Sequence, residues 1–485
     1  MNEIRKTLKN SLEFIDSVLA ASDYKAQDWP FEASNIAFKR EEKKMGMTFE
    51  AHDGKKLHDA YMGRLKDISL QNDKVTLVIP EEHAWFNCPY RFCAGAVTMS
   101  LAVNELRTAN FHTEKKTFLR VFQPIERFDL YHDVRTFGYL EGSYMRLGWM
   151  EIHLDESVVE AFPYDYNGQQ YIVFESPKTT DTKTFSKKIF SICVALGLIS
   201  RTIWLDEAFT VEYSDGDFEH PIAFLYQTFR PSIKGSYNIF STNIYSLEDS
   251  LRRSETTRYA SDFLKDENGE VKQGLIDWLQ PDFLSSLCAM IDRNDSLCRA
   301  AIMITEASTY PVEYQASMYC TALETITSCL KKKYGKTDKA PIPKEIFKKD
   351  IAPRLKEVVK ECCAAHSLEL QESVRIIENR INNLNAPTNQ EKLSLPFQNI
   401  NYTLTREESE AINNRNRFLH GSLLDTPEDG DEFNALLCTC IRLHKLCCIL
   451  LLKEAGFDSY ILNNPVLYGF KEDCSAKQPP VIALK

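Results

Sequence analysis

The feature that most constrains this chain is a change of hydrophobic period near Tyr245. Before it, apolar residues alternate with polar ones or gather in short aromatic and β-branched runs. After it, they recur every three or four positions. A period of two belongs to strands and one of 3.6 to helices, so one chain must build two kinds of layer. Val75, Leu77 and Ile79 alternate beyond a turn at Asp73, and Phe118–Phe122, Tyr144–Leu154 and Gln170–Glu175 read as strands. Two early segments are helical instead: Ile4, Leu8, Leu12, Ile15 and Leu19 mark an amphipathic helix, and Phe185–Ile199 a second.

The expected fold class is therefore α+β and multidomain. A β-rich N-terminal domain is expected over residues 1–240, a helical connecting region over 241–309 and an all-α bundle over 310–485. The connecting region holds Leu247–Leu264, Val271–Leu279 and Pro281–Ala307, with turns at Glu267–Gly269 and Gln280–Pro281. The bundle holds Pro311–Tyr334, Ile351–Cys363, Glu369–Asn385, Arg406–His420 and Glu432–Ala455. Thr405 and Glu408 have capping-box spacing for the fourth of these. No fixed repeat is present, which argues against a solenoid.

With 44% apolar residues and only 18 Gly and 19 Pro, the composition excludes a disordered or collagen-like chain. The fourteen cysteines include the adjacent pairs Cys362–Cys363 and Cys447–Cys448 inside apolar helical patterns, which read as buried thiols. The first residues, MNEIRKTLKNSLEFIDSVL, carry no apolar secretory core, so a reducing, cytoplasmic compartment is expected. Ile189–Ile199 and Leu446–Leu452 fall short of the ~20 apolar residues of a membrane span, and no membrane association is expected. A net charge of −11 argues against a general nucleic-acid coat but leaves room for a local basic site.

The chain lacks G-x-x-x-x-G-K-[ST], G-x-G-x-x-G, H-E-x-x-H and G-x-S-x-G, which argues against P-loop and α/β-hydrolase chemistry. Cys88 and Cys93 stand near His83 without a second ligand pair. Cys440, His444 and Cys448 share a helix face, but Leu436, Leu437, Leu443 and Cys447 surround them, so a packed apolar face is expected. No metal and no cofactor are expected.

The segment with chemical content is Ala411–Gly421, AINNRNRFLHG, in which Arg415, Asn416 and His420 form R-N-x-x-x-H. Arg107/His112, Arg127/His132 and Arg146/His153 have similar spacing, but they lie in the β-rich half and lack the Asn. Asn416 and His420 are one helical turn apart, whereas Arg415 and His420 are about 140° apart round an ideal helix. Arginine grips phosphate through paired hydrogen bonds, and histidine titrates near neutral pH. The 2′-hydroxyl of RNA can serve as its own nucleophile. Gly421 suits a helix C-cap.

This segment resembles the R-x4–6-H active-site motif of the HEPN superfamily (higher eukaryotes and prokaryotes nucleotide-binding), including its ApeA-like anti-phage members. Tyr319–Cys329, YCTALETITSC, is similar to the A-L-E segment found early in these domains, and the resemblance covers Tyr310–Lys485. It implies a metal-independent endoribonuclease that leaves 2′,3′-cyclic phosphate and 5′-hydroxyl ends. Arg415 would hold the scissile phosphate, His420 would move protons and Asn416 would orient them. It also implies a C2 homodimer, an N-terminal domain sensing a phage-derived trigger, and abortive infection by cutting RNA.

Between Lys331 and Lys360, eleven Lys/Arg against four Asp/Glu give a local balance of +7. Lys331, Lys332, Lys333 and Arg417 are the expected RNA contacts. Two other readings stay open: a non-catalytic HEPN-like module that binds a partner protein or nucleotide, and a toxin restrained by a neighbouring nucleotidyltransferase.

Overall fold

Alternation in Ile68–Gln71 and Thr76–Ile79 puts Ile68, Leu70, Leu77 and Ile79 on one buried face. The computed structural model describes residues 2–27, 29, 33–41, 44–52, 67–81, 83–93, 96–125, 139–141, 144–146, 149–200, 207–228, 266–269, 280–307, 310–334, 340–366, 371–386, 388–419, 430–467 and 478–484. These form two units, 1–309 with 454–485, and 310–453.

In the first unit, helix α1 (Asn2–Leu19) leads into β1 (Lys25–Gln27), β2 (Ala33–Glu41), β3 (Lys44–Ala51), β4 (Ile68–Gln71) and β5 (Thr76–Ile79). Then come β6 (Ala84–Cys93), β7 (Ala96–Val103), β8 (Glu105–Thr108) and β9 (Phe118–Ile125). A small hairpin, β10 (Tyr139–Glu141) and β11 (Tyr144–Arg146), precedes β12 (Met150–Leu154), β13 (Ser157–Tyr166) and β14 (Gln169–Glu175). Helix α2 (Thr182–Ser200), β15 (Glu207–Tyr213) and β16 (Pro221–Thr228) complete the β-rich part.

Ten strands make one antiparallel sheet in the order β1-β4-β5-β8-β16-β15-β9-β14-β13-β12, and β2-β3-β7-β6 make a second. One face of the large sheet shares a core with α1 and the small sheet: Leu8, Leu12 and Ile15 meet Met45, Phe49, Leu101, Phe122, Val211 and Phe224. Helix α2 reaches β9 from the opposite face, where the Cys193 thiol donates to Gln123 Oε1 at 3.0 Å. The central strands β9 and β15 are buried along nearly their whole length, with Arg120, Gln123, Glu207, Thr210 and Glu212 among their apolar residues, so neither has a solvent-facing polar side. Edge strand β12 alternates cleanly.

The sheet interior is not wholly apolar. Arg120 on β9 donates to Glu175 on β14 at 2.7 Å and lies over the Phe218 ring at 4.5 Å. Register continues that row through Glu160 on β13 to Glu151 on β12.

The expected helix Pro281–Ala307 is two helices, α3 (Pro281–Arg293) and α4 (Asp295–Ala307). Asn294 separates them, its side chain accepting from the Ser296 and Leu297 amides at 3.1 and 3.2 Å, a local alternative to continuing the first helix. Residues 454–485 belong to this unit, not to the helical one. They carry the β17 (Tyr460–Leu462) and β18 (Val481–Ala483) pair, and Phe457 meets Phe283 edge-on at 5.1 Å. The helices expected at Leu247–Leu264 and Val271–Leu279 lie outside the described residues.

The second unit is helical: α5 (Val312–Tyr334), α6 (Ala352–Ala365, entered through a π turn at Phe347–Ile351), α7 (Gln371–Asn383), α8 (Asn389–Asn399), α9 (Arg406–Leu419) and α10 (Gly430–Glu454). Helix α8 was not expected, although Thr388 and Glu391 form a full capping box at its start. Pro396 inside it masks the helical pattern.

By length and composition alone, Ala435–Glu454 is apolar enough to cross a membrane, which corrects the expectation drawn from Leu446–Leu452. Most of that stretch is buried in the protein, and Leu443, Leu446, Ile449, Leu450 and Leu451 have no exposure. Cys447 and Cys448 are buried as expected, but Cys362 is exposed because α6 turns almost none of its side chains into a core.

Candidate active site

Helix α9 starts at a capping box in which Thr405 Oγ1 accepts from the Glu408 amide at 3.2 Å and Glu408 Oε2 accepts from the Thr405 amide at 2.9 Å. Glu408 also receives the Tyr402 hydroxyl at 2.8 Å and Lys445 Nζ of α10 at 2.7 Å, with both partners of the ion pair 1% exposed. That pairing fixes the start of α9 against α10. Three side chains follow on the inward stripe of α9: Ala411, Ile412 and Arg415.

Arg415 is 4% exposed, and its Nε donates to Glu324 Oε1 on α5 at 2.9 Å. Glu324 is the acid of the A-L-E segment and is 44% exposed, so the pair joins an interior cation to a carboxylate in contact with solvent. Toward the end of α9, Ser317 Oγ donates to the Phe418 carbonyl at 2.9 Å. As α9 advances from 415 to 418, its partners on α5 retreat from 324 to 317. The two helices therefore run antiparallel, and the last turn of α9 is fastened to α5.

Ser317 and Glu324 are seven residues apart and share one face of α5. Lys331, seven further on, extends that face by two turns, about 10 Å. Lys331 is half-buried and Lys333 exposed. The Cys320 thiol lies near the pair, and burial, with the Glu324 charge second, pushes its pKa up to about 12. It is a protonated core group, not a nucleophile.

Of the sequence-predicted residues, the structure describes the side chains of Arg415, on α9 beside α5, and of Lys331 and Lys333 on α5. Asn416 and Arg417 also lie on α9, but their side chains are outside the described set, as is that of Lys332. His420 directly follows the described end of α9 and lies outside the described residues. Glu324 and Ser317 were missed as site residues, although Glu324 stood within the quoted A-L-E segment. What the sequence could not show was that α5 meets α9 through that acid.

No family model, no curated protein and no solved structure matches this chain. The resemblance in α5 and α9 rests on their own residues.

Elsewhere in the unit, His444 is fully buried, and burial lowers its pKa to about 4. Cys448 Sγ is 3.7 Å from His444 Nε2, and the Tyr319 ring packs edge-on against the imidazole at 5.4 Å. Among the described residues, no group of three or more His, Cys, Asp or Glu is arranged to hold a metal ion. A polar cleft of about 560 Å³ lies between α8 and the start of α9, lined by Ser394, Gln398, Asn401, Thr403 and Ser409 among others. Arg415 does not line it. Of the other R/H pairs, His112 binds Glu212 at 2.9 Å and His153 binds Glu151 at 2.9 Å, while Arg127 and His132 lie outside the described residues.

Proposed function

We propose that the helical unit is a metal-independent endoribonuclease of the HEPN type, acting in anti-phage defence by abortive infection. The observation that carries this reading is the 2.9 Å contact between Arg415 and Glu324. It joins the two segments that resemble the family, the R-N-x-x-x-H helix and the A-L-E helix. In the proposed reaction the 2′-hydroxyl of the substrate attacks the adjacent phosphorus, and the bond to the 5′-oxygen of the next nucleotide breaks. The products are a 2′,3′-cyclic phosphate and a 5′-hydroxyl. His420 takes the hydroxyl proton or delivers one to the leaving oxygen, and Asn416 orients the reacting groups.

Arg415 stabilises the charge that develops on the phosphate. Its Nε is committed to Glu324, so the phosphate is met by the Nη groups or displaces the carboxylate. Lys331, Lys332, Lys333 and Arg417 track the RNA backbone. The chain works as a cytoplasmic homodimer, and its β-rich unit senses a phage-derived trigger.

The test is RNA cleavage in EDTA. His420→Ala is expected to lower the rate by about 10²–10⁴-fold, and Arg415→Ala by about 10²–10³-fold. Equal cleavage by wild type and His420→Ala removes His420 from the mechanism.

One observation favours a second, non-catalytic reading: Arg415 is 4% exposed and already ion-paired. On that reading the motif is a structural tie, and the unit binds a partner protein or nucleotide. Glu324→Gln separates the two. A nuclease with its arginine released keeps or gains activity, whereas on the second reading no form cleaves RNA; a small loss of stability is expected on both.

A further inference from the structure

Helices α6 and α7 pack on each other around Phe347, Ala352 and Ile381, with Ile342, Ile351 and Val359 beside them. Ala352 is the one buried residue of α6. The hairpin nevertheless carries much of the exposed aliphatic surface of the described chain: Ile346, Leu355, Val358, Ile376, Ile377 and Leu384 are each 37–62% exposed.

These side chains are not scattered. At 100° per residue, Leu355, Val358 and Cys362 fall within about 60° of one another on α6. They flank the seam residues Ala352 and Val359 on the side away from Lys360. On α7, Ile377 flanks Ile381 on the side away from Glu378, and the exposed Leu384 follows just past the helix end. Lys360 Nζ meets Glu378 Oε1 at 3.2 Å. One flank of the seam is therefore closed by an ion pair, and the other is an open apolar face built from both helices.

We propose that this face is the contact between two copies of the chain, which close a four-helix bundle about a two-fold axis. Charge fits a second copy. Arg354 and Glu361, both exposed, stand on the outer border of the α6 stripe, two turns apart and centred near Val358. Two α6 helices crossing antiparallel there set Arg354 of one copy against Glu361 of the other, twice. An isologous contact requires this self-complementarity, whereas an anionic partner would leave Glu361 opposed.

The area also fits. Leu355, Val358 and Ile377 on this face, with Leu384 at its end, expose roughly 350 Å² of aliphatic surface per copy. Doubled, and with the polar share usual in interfaces, this comes to the lower end of the ~1,200–2,000 Å² of specific interfaces. The homodimer belongs to the functional reading above, but this surface does not rest on it, and sedimentation reads it without reference to RNA.

The experiment is sedimentation equilibrium of the full chain over a concentration series, with thermal melts confirming that each variant is folded. Wild type is expected to be dimeric and Val358→Glu monomeric at the same concentrations. Arg354→Glu weakens the dimer several-fold, and Arg354→Glu with Glu361→Arg restores it. Within one copy those two side chains are too far apart to compensate each other. A monomeric wild type, a Val358→Glu dimer as tight as wild type, or a double swap no tighter than the single one overturns the proposal.

Discussion

Arg415 is a buried tie between two helices and also the group proposed to meet the phosphate. Its Nε is held by a carboxylate that solvent partly screens, so the ion pair itself contributes modestly. Glu324→Gln is expected to cost about 1 kcal/mol, and Arg415→Ala, which also removes buried packing, about 2–3 kcal/mol. Urea unfolding of the two variants measures both, and an Arg415→Ala protein as stable as wild type would show that the pair holds nothing. In the β-rich unit, burial, with Glu175 and Glu151 adding to it, raises Glu160 to about 7. Its folded pKa exceeds its unfolded value, so the native state binds the extra proton. That contribution is present at low pH and is lost as pH rises through about 7. Glu160→Gln should therefore unfold like wild type at pH 5 but be about 1 kcal/mol more stable at pH 8, after allowance for its partial exposure. Equal stabilities at pH 8 would contradict the carboxylate row.

At the scale of elements, the start of α9 and the middle of α10 depend on buried polar groups. Glu408→Gln leaves Lys445 without its carboxylate in a site 1% exposed, a loss of about 3–5 kcal/mol. Thr405→Ala removes only the cap, about 1 kcal/mol. Thermal melts of the two should separate clearly, and similar losses would mean that the buried pair is weak. His444 titrates the other way from Glu160. Its folded pKa of about 4 lies below its unfolded value, so stability is complete above about pH 6.5 and falls between there and pH 4. His444→Leu should flatten that acid limb. Helix α9 was legible because Thr405, Glu408 and the 411/412/415 stripe all agree on it, and the β9 and β14 runs were legible from their β-branched and aromatic content. Helix α8 was hidden by Pro396, and the break at Asn294 by apolar periodicity on both sides of it. The hydrophobic pattern reports burial but not which element supplies it, so the two-sided cover of β9 and the partner of Arg415 emerged only in three dimensions.

At the scale of the whole molecule, the acidic chain divides into a β-rich unit and a helical unit, and its basic stretch begins on α5, the helix that also carries Glu324. Net charge describes the entire surface, whereas RNA would meet only this local one, so cleavage should fall steeply as salt rises. The same helical unit carries the apolar hairpin proposed to join two copies. The hairpin stands apart from the central proposal, that the chain cuts RNA without a metal. The most direct measurement of that proposal is the chemistry of the ends left when purified full-length protein meets RNA in excess EDTA. The account predicts 2′,3′-cyclic phosphate and 5′-hydroxyl ends from wild type and almost none from His420→Ala. Cleavage that vanishes in EDTA, or that proceeds equally in the His420→Ala protein, would contradict it.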